Sequence, residues 1–258
     1  MNEMERKLIL VTNDDGVTAP GFSRLVEVAS EFGDVVGVAP SFPQSGKSAA
    51  MTVNDALHVA EHPSISGAAI YSVSGTPVDC VKLALHHIVP RRPDLILSGI
   101  NHGSNAGVNI IYSGTMGAVL EGCMQGIPSI GFSLLHHSMA ADFSECLPWI
   151  RRIVAGVIAG GLPADVCLNV NFPAKVSIEG AKVVRAARSH WSEEYAAYTD
   201  PHGKPFYWLS GKLINEEPDN ADTDMYWLDR NYASIVPSTP SRDASGAIDD
   251  VKKLLSLS

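Results

Sequence analysis

Short apolar runs closed by turn residues alternate with stretches of helical period over most of the chain. Leu8 to Val11 runs directly into the polar segment Asn13-Asp14-Asp15-Gly16, the pattern of a buried strand that ends in a turn. Pro20-Gly21 opens a helical pattern in which Phe22, Leu25, Val26, Ala29 and Phe32 share one face, stopped by Gly33. Val35 to Ala39 is the next strand, stopped by Pro40. Strand, helix and strand within about 30 residues predict a βαβ unit with parallel strands. Asn54 to His62 alternates loosely, as an edge strand or hairpin arm does, and Ile70 to Val73 reads as a strand. Thr76 before Pro77 suits an N-cap followed by proline at the first helical position, with Val78, Val81, Leu85 and Ile88 on one face. Leu95 to Ser98, Ser129 to Ser133 and Val166 to Val170 read as further strands. Helices are expected from Thr115 and over Trp149 to Ile158.

The alternation predicts an α/β fold with a Rossmann-like, doubly wound, mostly parallel sheet. It fails after about residue 180. Trp191 to Arg230 is rich in Tyr, Trp, Asp, Gly and Pro, with Phe206 to Leu209 as one hairpin arm. Ile248, Val251, Leu254 and Leu255 mark an amphipathic C-terminal helix. We therefore expect a single domain over 1–258, with a core over about 1–185 and a C-terminal β-hairpin and helix extension over about 186–258. Such a tail buries little surface alone, so it covers the core or packs on a second subunit.

Composition narrows the functional classes. The chain has 258 residues, 45% hydrophobic and 18% charged, as in ordinary globular proteins. Its formal net charge is -9, with no Lys/Arg run, which argues against a nucleic-acid polymer as partner. Cys80, Cys123, Cys146 and Cys167 lie in apolar patterns without Cys-x-x-Cys spacing, as buried thiols in a reducing compartment do. The apolar run near the start is far too short for a signal peptide or membrane span, so a cytoplasmic protein without membrane contact is expected.

Three polar loops leave predicted strand ends, the rim where open α/β sheets bind ligands. They are Asn13 to Gly16, Ser41 to Ser48, and Gly99 to Thr115. Asp14 and Asp15 repel each other, and a divalent, oxygen-seeking cation is the simplest compensation. From that stretch alone an exposed Asp-Asp-Gly turn fits as well. In the third loop Asn101 and Asn105 stand between glycines, and Gly103 and Gly107 let the backbone approach a ligand. Ser113-Gly114-Thr115 stands at a helix start, where free amides and the dipole favour an anion and hydroxyls add donors. Simple capping by Ser113 and Thr115, and turn formation by the asparagines, are the alternatives. A carboxylate pair, oxygen-rich loop and anion site on one rim point to phosphoryl chemistry with a metal.

Val11-Thr-Asn-Asp-Asp-Gly16, Ser74-Gly-Thr-Pro77 with Asp79-Cys80, Ser98-Gly-Ile-Asn-His-Gly103 and Tyr112-Ser-Gly-Thr115 resemble the signatures of the SurE family, the stationary-phase survival proteins that are 5′/3′-nucleotidases. Ala39-Pro40 with Ser45-Gly46 fits the same family, as do Asp200-Pro201-His-Gly203, Tyr207-Trp208 and Tyr232 to Pro237. The resemblance implies a metal-dependent phosphomonoesterase acting on nucleoside monophosphates, for which we expect attack by metal-activated water. It also implies one Mg2+ or Mn2+ held by Asp14, Asp15, Ser45 and Asn101, and phosphate contacts from Asn105, Ser113, Gly114 and Thr115. Asp14 and Asp15 are then the catalytic residues. A homodimer or homotetramer that exchanges C-terminal elements is implied as well. Val78, Ala233 and Val236 depart from the family pattern, with subunit packing as the property they would alter.

His102 lies in the third loop, where a solvent-facing side chain is expected. An aspartyl-phosphate route is a rival mechanism, although such enzymes usually carry Asp-x-Asp rather than Asp-Asp-Gly. A nucleotide-binding regulatory module without turnover is the rival function. Base preference, 5′ against 3′ phosphate, short polyphosphate as substrate, the metal's identity and the general acid are not set by the sequence.

Overall fold

The computed structural model describes residues 6–174, 176–241 and 243–256; the two ends of the predicted domain, 1–5 and 257–258, lie outside the described residues. Strand β1 (Leu8–Thr12) is buried at all five positions. Its side chains alternate between two cores: Ile9 and Val11 face one, Leu10 the other. Helix α1 (Pro20–Ala29) follows and stops at Ala29, short of Gly33, with Ser30 as its C-cap. Strand β2 (Asp34–Pro40) completes the βαβ unit, parallel to β1. The loosely alternating stretch forms β3 (Val59–Ile65), an edge strand antiparallel to β4 (Ala68–Val73). Helix α2 (Pro77–Leu83) continues into a wider turn over Ala84–Ile88. Then come β5 (Leu95–His102), α3 (Gly114–Met124), β6 (Ser129–Leu134), α4 (Leu147–Gly160) and β7 (Cys167–Phe172).

Beyond β7 lie β8 (Gly180–Val183), β9 (Ser189–Ser192), β10 (Tyr195–Thr199), β11 (Pro205–Leu209) and β12 (Lys212–Asn215). Helix α5 (Asp224–Leu228), β13 (Tyr232–Ser238) and α6 (Ile248–Leu255) follow. The main sheet has the order β3-β4-β2-β1-β5-β6-β7-β13-β8. Strands β4, β2, β1, β5, β6 and β7 run parallel, and β13 enters antiparallel to β7. Two small antiparallel pairs, β10 with β11 and β12 with β9, stand apart from this sheet. Among the described residues, no helix is long and apolar enough to cross a membrane.

Helices cover both faces. Phe22 and Leu25 of α1 and Ile150 and Val154 of α4 pack on Ile9, Leu97, Phe132 and Phe172. Cys80 and Val81 of α2 and Ala118 of α3 pack on Leu10, Val38 and Ile96. Val78, Ala233 and Val236 are buried within the fold. The chain leaves β1 toward β2 on one side and returns to β5 on the other. The crevice at their carboxyl ends is therefore the topological switch point of the sheet.

The expected N-cap at Thr76 is a full capping box: its hydroxyl accepts from the Asp79 amide, and Asp79 accepts from the Thr76 amide at 2.8 Å. The same carboxylate accepts the Thr52 hydroxyl at 2.6 Å and the Thr52 amide at 3.1 Å, so it also anchors the loop that follows β2. Burial pushes Asp79 up, but these hydrogen bonds outweigh it and hold its pKa below the ordinary value. Thr76→Ala is expected to lower the unfolding free energy by about 1 kcal/mol. Asp79→Ala should cost about 2–3 kcal/mol, because Thr52 then loses its acceptor too. Denaturant titration measures both, and equal losses would show that Asp79 is only a cap.

Candidate active site

At the end of β1 the Asn13 side chain closes the turn. Its Nδ2 donates to the Gly16 carbonyl at 3.0 Å and its Oδ1 accepts the Gly16 amide at 3.2 Å. This leaves Asp14 and Asp15 at the tip, turned to different partners. Asp14 accepts the Thr115 hydroxyl at 2.5 Å, at the start of α3. Asp15 accepts both the backbone amide and Nδ1 of His102, each at 3.0 Å, at the end of β5. A β-carbon on Gly114 would stand 2.8 Å from Asp14 Cβ, so only glycine lets the helix start come this close.

Asp14 is 5% exposed. Burial, and then the neighbouring Asp15 charge, push its pKa up to about 6, against partial relief from the Thr115 hydroxyl and nearby amides. Among the described residues no group of three or more His, Cys, Asp or Glu side chains converges to hold a metal. The donor set is instead two carboxylates and neutral oxygens, a hard set that suits Mg2+ or Mn2+ rather than a soft-ligand metal. A buried acid with a like charge beside it is the environment that a divalent cation relieves, so the residues fit the expected group.

The other two expected ligands lie alongside. A register shift in the β5–β6 pairing between Ser98 and Asn101 re-aims the end of β5. Asn101 Nδ2 donates to the Gly103 carbonyl at 3.0 Å, leaving its Oδ1 as an available oxygen. Ser45 is exposed, in a loop drawn to the site where the Gln44 amide donates to the Asp14 carbonyl at 2.7 Å. That loop is also fastened to the far wall, with the Ser48 hydroxyl on the Ile111 carbonyl at 2.6 Å.

On the anion side Ser113 is the N-cap of α3, its Oγ accepting from the Met116 amide at 3.0 Å. Its hydroxyl proton, and the Gly114 and Thr115 amides that the helix ladder does not use, stand at the positive end of the dipole. The Thr115 hydroxyl is committed to Asp14, so it adds no donor for a phosphate; its amide is what the residue offers. Asn105 is buried and gives one Nδ2 proton to Ser133 Oγ at 2.8 Å. The expected open space at Gly103 and Gly107 is filled by protein: His137 packs over the first, Ser189 and Met225 over the second.

His102 corrects the sequence reading. Its side chain is 3% exposed, edge-on to Phe143 with ring centroids 5.3 Å apart. Its Nδ1 lies 3.0 Å from Asp15 Oδ2, so the ring turns inward to the carboxylate and not out to solvent. The residues that sequence reasoning missed are the supports. Asn169 and Asn171 of β7 are fully buried and bond the Asn105 backbone, and Asp224 bonds the Gly107 amide. Polar residues two apart in the apolar run of β7 were the one available signal; Asp224, in an aperiodic polar tail, carried none.

The family model described as Survival protein SurE matches residues 9–193. A protein from Bacteroides fragilis named 5′-nucleotidase SurE is 44% identical over 250 residues, covering 97% of this chain and 98% of that protein. One of the same name from Christiangramia forsetii is 50% identical over 238 residues, covering 90% and 91%. The crystal structure of the SurE protein from Aquifex aeolicus superposes with a TM-score of 0.82 at 35% identity, covering 96% of this chain and 99% of that one.

The raised pKa of Asp14 has a thermodynamic consequence. The folded protein binds this proton more tightly than the unfolded chain, so stability falls as pH rises from the ordinary 3.8 toward about 6. Above that pH the penalty is complete, at about 2–3 kcal/mol. In metal-free protein Asp14→Asn should therefore raise stability at pH 7.5 by about that amount, with the gap closing below about pH 4. Chemical unfolding across pH measures it; no gap at pH 7.5 would mean that the pair is already compensated.

Proposed function

The chain belongs to the SurE family, and on that footing we propose that it is a metal-dependent 5′-nucleotidase that hydrolyses nucleoside monophosphates to nucleoside and phosphate. The observation that carries the reading is the contact between Asp14 and the start of α3. That contact brings the carboxylate pair and the free amides at the N-terminus of α3 onto one wall, which supports a cation beside a phosphate. Asp14, Asp15, Ser45 and Asn101 would hold the cation. When bound, it supplies neutralisation of phosphoryl oxygen charge and a lowered pKa for water.

The protein's own groups do the rest. Ser113 and the Gly114 and Thr115 amides bind the phosphate oxygens, and the dipole of α3 favours the charge that builds on them. Asn105 closes the other side of the phosphate. Thr115 fixes Asp14, and His102 fixes Asp15 through two hydrogen bonds. Water attacks phosphorus, the bond to the ester oxygen breaks, and one carboxylate of the pair takes the water's proton. The leaving nucleoside oxygen takes its proton from solvent water, and the carboxylate returns the proton it took to solvent, which restores both groups.

The family likeness extends the proposal to 3′-nucleotides and short polyphosphate. The net charge of -9 supports small nucleotides over a nucleic-acid polymer. All four cysteines are free and buried, which supports a reducing compartment, the cytoplasm. A dimer or tetramer with exchanged C-terminal elements is supported by the hairpin of β10 and β11, where Tyr195, Tyr207, Trp208 and Leu209 are exposed, and by α6, which buries nothing.

Chelator-treated protein should release no phosphate from a panel of 5′- and 3′-nucleoside monophosphates until Mn2+ or Mg2+ is added. Asp14→Asn should lower kcat/KM by about 10³-fold under saturating metal. Nucleotide binding without phosphate release under any metal would contradict the proposal and leave a binding module.

A further inference from the structure

Between the two halves of the phosphate site, Asn105 and Ser113–Thr115, the chain makes a 3-10 turn over Gly107–Ile111. The residue at its N-cap, Ala106, has no side chain that can receive the turn's first amides. They are received from far along the chain. Asp224 Oδ2 accepts the Gly107 amide at 2.9 Å, across 117 positions of sequence. Ser189 Oγ accepts the Val108 amide at 2.9 Å, across 81. Trp191 Nε1 then donates to Asn109 Oδ1 at 2.9 Å.

Asp224 is fully buried, and its other oxygen accepts the amides of Ala187 and Met225 at 2.8 and 2.7 Å. One carboxylate thus ties the turn to two segments of the C-terminal region. On the opposite side Asn171 Oδ1 accepts the Asn105 amide and Asn169 Nδ2 donates to the Asn105 carbonyl, both at 2.8 Å. The loop is anchored at Asn105 by β7 and at Gly107 by Asp224. A polar side chain at position 106 would satisfy the same amides locally. What the remote carboxylate adds is a fixed distance between the loop and the rest of the fold.

We propose that Asp224, assisted by Ser189, is a positioning residue for phosphate binding: it caps the turn that joins Asn105 to Ser113 and so sets the spacing of the two halves of the phosphate site. The proposal rests on the assignment of those residues to phosphate given above. Asp224 touches no substrate atom; it acts through the loop. Asp224→Asn puts an NH2 group at one of the two oxygen positions, so either the Gly107 bond or both the Ala187 and Met225 bonds are lost, and the anchor of the turn is broken in each case.

The test uses inorganic phosphate as a competitive inhibitor of the metal-loaded full chain, with Mn2+ affinity measured alongside. For Asp224→Asn the inhibition constant should rise about tenfold and kcat/KM fall about 100-fold. Mn2+ affinity should move less than about twofold, because Asp14 and Asp15 are held by other elements. Amide exchange at Gly107 and Val108 should accelerate. Ser189→Ala removes only the Val108 bond and should raise the phosphate constant about threefold, which keeps the test decisive if Asp224→Asn does not fold. Unchanged phosphate inhibition and KM, with only thermal stability lowered, overturn the proposal. A wild-type enzyme that hydrolyses nucleotides but is not inhibited by phosphate overturns the phosphate assignment and this proposal with it. A wild-type protein that hydrolyses nothing overturns the nucleotidase reading itself.

Discussion

Two adjacent carboxylates repel each other at the end of the sheet's central strand, and the surroundings of Asp14 and Asp15 hold them there. Each has its own anchor: the start of α3 for Asp14, the end of β5 for Asp15. Neither anchor is a fixed positive charge. Burial and mutual repulsion push the pKa of Asp14 up to about 6. A protein selected for stability alone would relieve this strain; the proposed function, which holds a divalent cation against a phosphate, gives a reason to keep it.

The fold delivers the arrangement through topology. Strands β1 and β5 are neighbours whose connections lead to opposite sides, so their ends open a crevice that no crossover helix covers. Strand β1 contributes the carboxylates, and the loop after β2 contributes Ser45. The end of β5 contributes Asn101 and His102, and the following loop runs into the N-terminus of α3. In the proposed function a cation site and an anion site share one wall at Gly114, and hydrolysis needs both.

Much of this was legible in the sequence. The alternation through Pro173 predicted the sheet and its helices, and Thr76-Pro77 marked the start of α2. Turn residues at strand ends brought three loops to one rim. The unread parts are those fixed by partners distant in sequence. Strand β13 slots between β7 and β8, antiparallel to the first and parallel to the second, by pairing that no local pattern encodes. His102 looks like any loop histidine until Asp15, 87 positions away, draws it inward. The Thr115 hydroxyl looked free because its acceptor lies 101 positions away. The expected ligand set, Ser45 above all, came from family likeness rather than from residue pattern.

The central claim is that Asp14 and Asp15 form half of a cation site. Calorimetric titration of Mn2+ into chelator-treated wild-type protein and an Asp15→Asn variant tests it most directly. The account predicts about one saturable site per chain in the wild type and loss of that site in the variant, with both proteins folded. No binding to the wild type, or equal binding by the variant, would contradict it.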